Sequence, residues 1–278
     1  MDSNNAPEAR LRAADERDYA LFARLFLELN TGDETPSEAT FRATFLHRMR
    51  VFERDGATIG MTIFDKLPEA AYVRIIVIAP EHRARGEGRA LMNAIATVLR
   101  AEGCKTWRLN VKRDNSAALA LYKRMGMRVA YESTAFNLFW SQLDALQTSA
   151  SAERAVVLAE REDEHVERAW SLPTGQLAQW RARPGNFLLR VERTSDPSDL
   201  GAGFVRFEPA FPGAFPLRVR EIGSARTLLE ACLAQRDLSK DYVRLVVEDN
   251  EPFARAMYAA GATTHMELFH MTGSLVSL

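Results

Sequence analysis

Between Ile75 and Met127 two glycine-and-polar signals follow each other in a fixed order, and no other stretch limits the fold of this chain so tightly. The first is a strand pattern, Tyr72 to Ile78. It runs through Ala79-Pro80 into Arg83-Ala84-Arg85-Gly86-Glu87-Gly88-Arg89 and then into an apolar helix pattern. The second is Asn115-Ser116-Ala117-Ala118-Leu119-Ala120-Leu121-Tyr122, followed by Gly126. A helix start leaves about four backbone N–H groups unpaired and carries partial positive charge. Glycines there let a phosphate approach the backbone. The first signal therefore reads as a phosphate seat, with a solvated arginine-rich loop as the plain alternative. It is neither a dinucleotide fingerprint nor a P-loop: the third glycine would fall at Leu91, and no Gly-Lys-Ser/Thr follows.

The surrounding pattern alternates strands and helices. Ala9 to Ala14 reads as a strand. A helix capped by Asp15 follows, with the stripe Leu21, Phe22, Leu25, Phe26, Leu29. Thr35-Pro36-Ser37-Glu38 predicts a second helix with proline at its first position and a buried face of Phe41, Phe45 and Met49. Strands over 51–54 and 57–64 flank Asp55-Gly56, a strong hairpin signal. The nearly all-apolar run Tyr72 to Ile78 predicts a strand covered on both faces. Leu91, Ile95 and Leu99 mark a helix over 88–102 ended by Gly103. Trp107, Leu109 and Val111 mark a strand, and 129–139 supplies the last strands of this half.

A segment of linker composition, 141–153, separates a second half that repeats the first weakly. Strands are expected at 155–160, 187–192, 203–208, 242–247 and 265–271. Helices are expected at 163–172, 177–182, 223–235 and 252–260. Asn250 precedes Gly261 by the interval that separates Asn115 from Gly126. Two domains follow, 1–145 and 146–278. In the second copy Met257 stands at the position of Tyr122, with Tyr258 turned away by about 100°. Arg220-Glu221-Ile222-Gly223-Ser224-Ala225 keeps an echo of the first signal, but the loop before it is short. The second half therefore reads as a degenerate structural partner. The region of Phe204, Phe207, Phe211 and Phe215 with Pro209, Pro212 and Pro216 reads by default as core, with a packed loop at the junction of the halves as the alternative.

The net charge of −1 over 278 residues gives no field that would recruit nucleic acid or an anionic membrane. No apolar run approaches the ~18–20 residues of a membrane helix, and the polar start Met1 to Pro7 lacks a signal-peptide pattern. Cys104 and Cys232 are far apart and the five histidines show no ligand spacing. The expectation is a cytoplasmic protein without a metal.

Taken together, the motifs resemble those of the GCN5-related N-acetyltransferase (GNAT) family. Its motif V-x-P-x-x-R-x-x-G-x-G reads here as Ile78 to Gly88, with isoleucine for valine. Its motif N-x-x-A-x-x-L-Y with a glycine four residues on reads as Asn115 to Tyr122 and Gly126, with Met127 for the usual aromatic. The likeness spans roughly residues 8–140. It implies an α/β fold with a mixed sheet flanked by helices, here as two tandem acetyltransferase-like domains.

The resemblance further implies that acetyl-CoA is the co-substrate. Ile76, Val77 and Ile78 would contact its pantetheine arm, and an N–H near Ile76 would polarise the thioester carbonyl. Arg83, Ala84, Arg85, Gly86, Glu87, Gly88 and Arg89 would hold the diphosphate. Asn115 would bond the pantetheine, cap its helix, or do both. Tyr122 would protonate the departing thiolate; the alternative is a ring packed on an apolar helix face. The acceptor amine needs a base or a water chain, for which Glu132 and Glu28 are candidates, whereas His82 is read as solvated. A small-molecule or peptide amine is the expected partner, with Asp33 and Glu34 suited to a cation. The chain would be a monomer with internal pseudo-dimer character, or a homodimer. An acyl-CoA-binding sensor without chemistry is the alternative reading.

Overall fold

The computed structural model describes residues 9–276, so the reading of Met1 to Pro7 lies outside the described residues. By compactness the chain forms two units: residues 1–130 with 270–278, and residues 131–269.

The first unit orders its strands β1 (Ala9–Ala13), β2 (Met49–Arg54), β3 (Ala57–Lys66), β4 (Ala70–Ile78) and β5 (Thr106–Lys112) side by side. Asp15 caps the turn before α1 (Tyr19–Leu27), accepting from the Arg17 N–H at 2.9 Å. The second helical segment begins two residues later than expected. Ser37 is its cap, accepting from the Thr40 N–H at 3.2 Å, and Pro36 lies before it. α2 (Glu38–Thr40) widens into a π turn over Phe41–Phe45 and tightens into a 3-10 turn over Leu46–Arg48. This irregular winding sets the Phe41 and Phe45 rings 4.9 and 5.1 Å from that of Phe22. Aromatic packing overrides the 3.6-residue period there, and Met49 is buried in β2 rather than on a helix. The β2–β3 turn has Asp55 at φ 51° and Gly56 at φ 77°, as a two-residue primed turn requires.

β4 corrects the expectation of a strand covered on both faces. Ala71, Val73, Ile75 and Val77 are buried, while Tyr72, Arg74, Ile76 and Ile78 are only half-buried. Ile63 faces Ile75 across the ladder, but the next residue, Phe64, faces Val73, so Arg74 is an extra residue on β4. That is a β-bulge. Neighbours 63 and 64 point to opposite faces, so Val73 and Ile75 do as well. Ile75 and Val77 then join the core formed by Phe22, Leu25, Phe41 and Met61. The parallel pairing of β4 with β5 runs from Ala70 opposite Thr106 to Val73 opposite Leu109 and stops at the bulge.

α3 (Glu87–Ala101) buries Leu91, Met92, Ile95, Ala96 and Leu99, and α4 (Ser116–Arg124) follows β5. The last residues of the chain belong to this unit: the Leu275 N–H donates to the Lys105 carbonyl at 2.8 Å.

The second unit places β6 (Arg128–Phe139, from residue 131 on), β11 (Tyr242–Glu248), β10 (Gly213–Val219), β9 (Gly203–Glu208), β8 (Phe187–Arg193) and β7 (Glu153–Val157) side by side. Its helices are α5 (Asp163–Ala169), α6 (Gln176–Arg181), α7 (Ile222–Leu233) and α8 (Glu251–Ala259); β12 (Thr263–Ser274) follows. The element order of the first half recurs here. Phe204 and Phe207 lie in β9 within the core, as the strand expected at 203–208 requires. Two readings change. Residues 213–219 form a strand with a cis Phe215–Pro216 bond rather than a packed loop. The linker composition of 141–153 hides a 3-10 turn, Trp140–Ala145, that buries Trp140 and Leu143. The expected boundary at 145/146 falls inside this unit, which takes β6 from the first repeat. The first unit in turn takes the end of β12 from the second. Among the described residues no helix is long and apolar enough to cross a membrane.

Candidate active site

The bulge at Arg74 creates an open strand edge. The Ala79 N–H donates to the Ile59 carbonyl at 2.9 Å, and the Ile75 carbonyl accepts from the Thr62 hydroxyl at 2.9 Å. Residues 75, 77 and 79 thus turn their main-chain groups toward β3. By alternation Ile76 and Ile78 turn theirs toward the gap where β4 and β5 part. Of the three apolar residues expected at a cofactor, Val77 is in the core, and Ile76 and Ile78 are half-buried on that open edge.

Ala84 (φ 60°) and Gly86 (φ 85°) are both left-handed, and Gly86 is the N-cap of α3. No Cβ-sized obstacle lies within 4 Å of Gly86, so its glycine serves the backbone angle and leaves the seat open. The Arg89 and Ala90 N–H groups bond back to the Gly86 carbonyl at 3.0 and 3.1 Å. The N–H groups of Glu87 and Gly88 find no main-chain acceptor among the described residues.

The arginines divide. Arg83 is committed: its Nε donates to the Ile78 carbonyl at 3.0 Å and its Nη2 to Glu28 at 2.7 Å. Arg85 and Arg89 are exposed and make no ion pair among the described residues. Glu87 is neutralised by Arg54 at 2.9 Å. Arg89 also lines a cavity of about 300 Å³ with Asn93, Thr97, Arg100, Arg124 and Met125, which holds three guanidinium groups and no carboxylate. Arg100 and Arg124 were missed from the sequence. The exposed stripe 89, 93, 97, 100 on α3 was the available signal, at helical spacing.

Asn115 caps α4, its Oδ1 accepting from the Ala118 N–H at 3.1 Å. Tyr122 lies on the buried face of α4 with 8% of its surface exposed. Its hydroxyl makes no hydrogen bond among the described residues and is not sealed from solvent. Burial pushes its pKa up to about 12. The seat and the tyrosine helix meet at Gly88, where a Cβ would stand 3.1 Å from Leu121 Cδ2.

The two candidate bases belong to different units. Glu28 is held by Arg83, and Glu132 is an exposed residue of the second unit. His82 is half-buried at the end of the 3-10 turn Pro80–His82. The loop carrying Asp33 and Glu34 is tied to the end of β5, where Lys112 Nζ donates to the Asn30 carbonyl. No group of three or more metal-ligating side chains is found among the described residues.

The second repeat keeps the frame and changes the chemistry. Asn250 caps α8 as Asn115 caps α4, accepting from the Phe253 N–H at 3.1 Å. Met257 is fully buried at the tyrosine position. Tyr258 is 53% exposed and shares a hydrogen bond with the Thr264 hydroxyl at 2.8 Å.

Comparison with known proteins fits this geometry. The model of the acetyltransferase (GNAT) family matches residues 17–127. A thialysine N-epsilon-acetyltransferase of Sus scrofa is 32% identical over 79 residues, 28% of this chain and 46% of its own length. The [ribosomal protein bS18]-alanine N-acetyltransferase of Escherichia coli K12 is 30% identical over 96 residues, 34% of this chain and 65% of its own length. The chain thus spans less than two thirds of either curated relative. A tandem GNAT protein from the clavulanic acid biosynthesis pathway superposes with a TM-score of 0.65 at 18% identity, over 97% of this chain and 99% of that one. Residues 17–127 therefore match the acetyltransferase (GNAT) family model, in a chain whose fold is similar to that of a tandem GNAT protein.

Proposed function

We propose that the first repeat is an N-acetyltransferase that moves an acetyl group from acetyl-CoA to a primary amine by direct transfer. The observation that carries this reading is the coincidence of an open strand edge at Ile76 and Ile78, a left-handed glycine loop with free cations, and a buried tyrosine on the adjoining helix.

Bound acetyl-CoA would supply an acetyl group on a thioester, with a thiol as leaving group. The Ile76 N–H, turned to the gap, would donate to the thioester oxygen as negative charge grows there. The N–H groups of Glu87 and Gly88, with Arg85 and Arg89, would hold the diphosphate. Arg100 and Arg124 extend the same positive field beyond it. Arg83 braces the loop through Ile78 and Glu28. As the new C–N bond forms and the C–S bond breaks, Tyr122 would give its hydroxyl proton to the departing sulfur. The burial that weakens Tyr122 as an acid would also raise the pKa of a thiol in the same place, which keeps donor and acceptor near each other. The amine would lose its proton to water or to a carboxylate at the acceptor loop, where Asp33 and Glu34 favour a cationic acceptor.

Two assays test this reading: binding of acetyl-CoA, and transfer to a panel of amines and peptide N-termini followed by thiol release. Turnover that survives Tyr122→Phe unchanged would remove the tyrosine from the mechanism. Binding without transfer to any amine favours the sensor reading, whose supporting observation is that Glu28 is already engaged by Arg83.

A further inference from the structure

The two repeats treat their equivalent helix starts in opposite ways. In the first, eight positions from Ala79 to Gly86 separate β4 from α3, and nothing lies within 4 Å of where a Gly86 Cβ would stand. In the second, β10 ends at Val219 and α7 begins at Ile222, leaving only Arg220 and Glu221 to turn the chain. Arg220 is taken up by the Gly201 carbonyl at 2.7 Å and stacks over Trp170. Gly223, which follows Arg220 as Gly86 follows Arg83, stands at the second position of its helix, where α3 has Gly88, and is buried. A Cβ there would fall 2.6 Å from the Thr148 carbonyl carbon and collide with the Ser149 backbone. That glycine serves close packing of the chain's own connecting segment.

The segment is fastened on both sides. Arg226 donates to the Asp144 and Leu146 carbonyls at 2.9 and 3.1 Å and pairs with the Asp144 carboxylate at 2.6 Å. Glu153 accepts from the Ser224 hydroxyl at 3.0 Å and the Thr227 hydroxyl at 2.8 Å, so an internal carboxylate grips the first turns of α7. The strand gap is closed as well. β10 carries an extra residue between Ala214 and Leu217 and pairs with β11 only at Gly213 and Ala214, so these strands part as β4 and β5 do. Beyond that point Arg218 of β10 is ion-paired with Glu248 of β11, and the Tyr131 hydroxyl donates to Glu248 at 3.4 Å.

We propose that the second repeat is a cofactor site filled by its own chain: residues 144–153 occupy the diphosphate seat at α7, and the Arg218–Glu248 pair occupies the strand gap. The chain then takes one acetyl-CoA, in the first repeat, which rests on the function proposed above.

Calorimetric titration of the full chain with acetyl-CoA, paired with hydrogen exchange at saturation, tests this. The expected result is one equivalent, with new protection confined to the first repeat, at 76–89 and 115–124, and unchanged exchange at 144–153 and 220–228. The double variant Arg85→Glu/Arg89→Glu, shown folded by circular dichroism, should then bind none. Two equivalents, or altered exchange at 144–153 and 220–228, overturns the proposal. No binding at all by the native chain leaves the second seat closed as proposed and instead sinks the acetyl-CoA reading of the first.

Discussion

Gly88 and Leu121 stand so close that a single methyl group on the glycine would lie 3.1 Å from the leucine side chain. Through this contact the start of α3 sets the position of the helix that carries Tyr122. Gly88 has no left-handed angle, so alanine is tolerated by the backbone, and the end of a flexible side chain can give way. Gly88→Ala should change stability by no more than about 1 kcal/mol. Gly88→Val should push α4 outward, raise KM for acetyl-CoA and lower kcat together. Thermal melts and steady-state kinetics on both variants check this; equal kinetics for valine and glycine would break the link.

Tyr122→Phe separates chemistry from packing. The hydroxyl has no partner to lose, so the melting temperature should stay level or rise slightly. Turnover should fall by about 10²–10⁴-fold, the usual weight of a general acid, with acetyl-CoA affinity kept.

The same residue fixes a pH window. Burial raises its folded pKa to about 12, against about 10 in an unfolded chain. Below pH ~10 both states hold the proton and the group is indifferent. Above it the unfolded state loses the proton first, so its share of stability fades as pH climbs from about 10 toward about 12. The active, protonated form persists over that range, so kcat should show no alkaline fall assigned to Tyr122 below pH ~10. An alkaline limb in native kcat near 8 that Tyr122→Phe abolishes would contradict the burial.

Asp65 is 3% exposed between Arg48, 10% exposed and 2.9 Å away, and Arg74, the bulge residue. Asp65→Ala would leave cationic groups buried without their carboxylate, and should cost about 3–5 kcal/mol in denaturant unfolding. The exposed pair Arg83–Glu28 gives the contrast. Glu28→Gln should cost no more than about 1 kcal/mol, and retained turnover would remove Glu28 from the list of bases.

What the sequence made legible was the part written in local chemistry. Asp55-Gly56 and the Asn115 cap each depend on a few adjacent residues, and the structure places them as read. The repeat was visible because caps and glycines recur at equal spacing. What stayed hidden depends on partners distant in sequence. The bulge at Arg74 is a matter of register with Ile63 and Phe64, and an all-apolar run gives no sign of it. The 3-10 and π winding at 41–48 answers to Phe22. Strand β10 was obscured by Pro212 and Pro216, which read as loop residues. Arg83 looked free until Glu28, fifty-five positions earlier, was found beside it.

The exchange of β6 and the tail of β12 has a consequence for how such a chain can change over generations. A truncation after residue 145 would remove 270–276, which belong to the first unit, and would strand β6 without β11. Selection acting on the first unit alone is then enough to preserve both halves of the gene. A silent copy needs no activity of its own in order to persist.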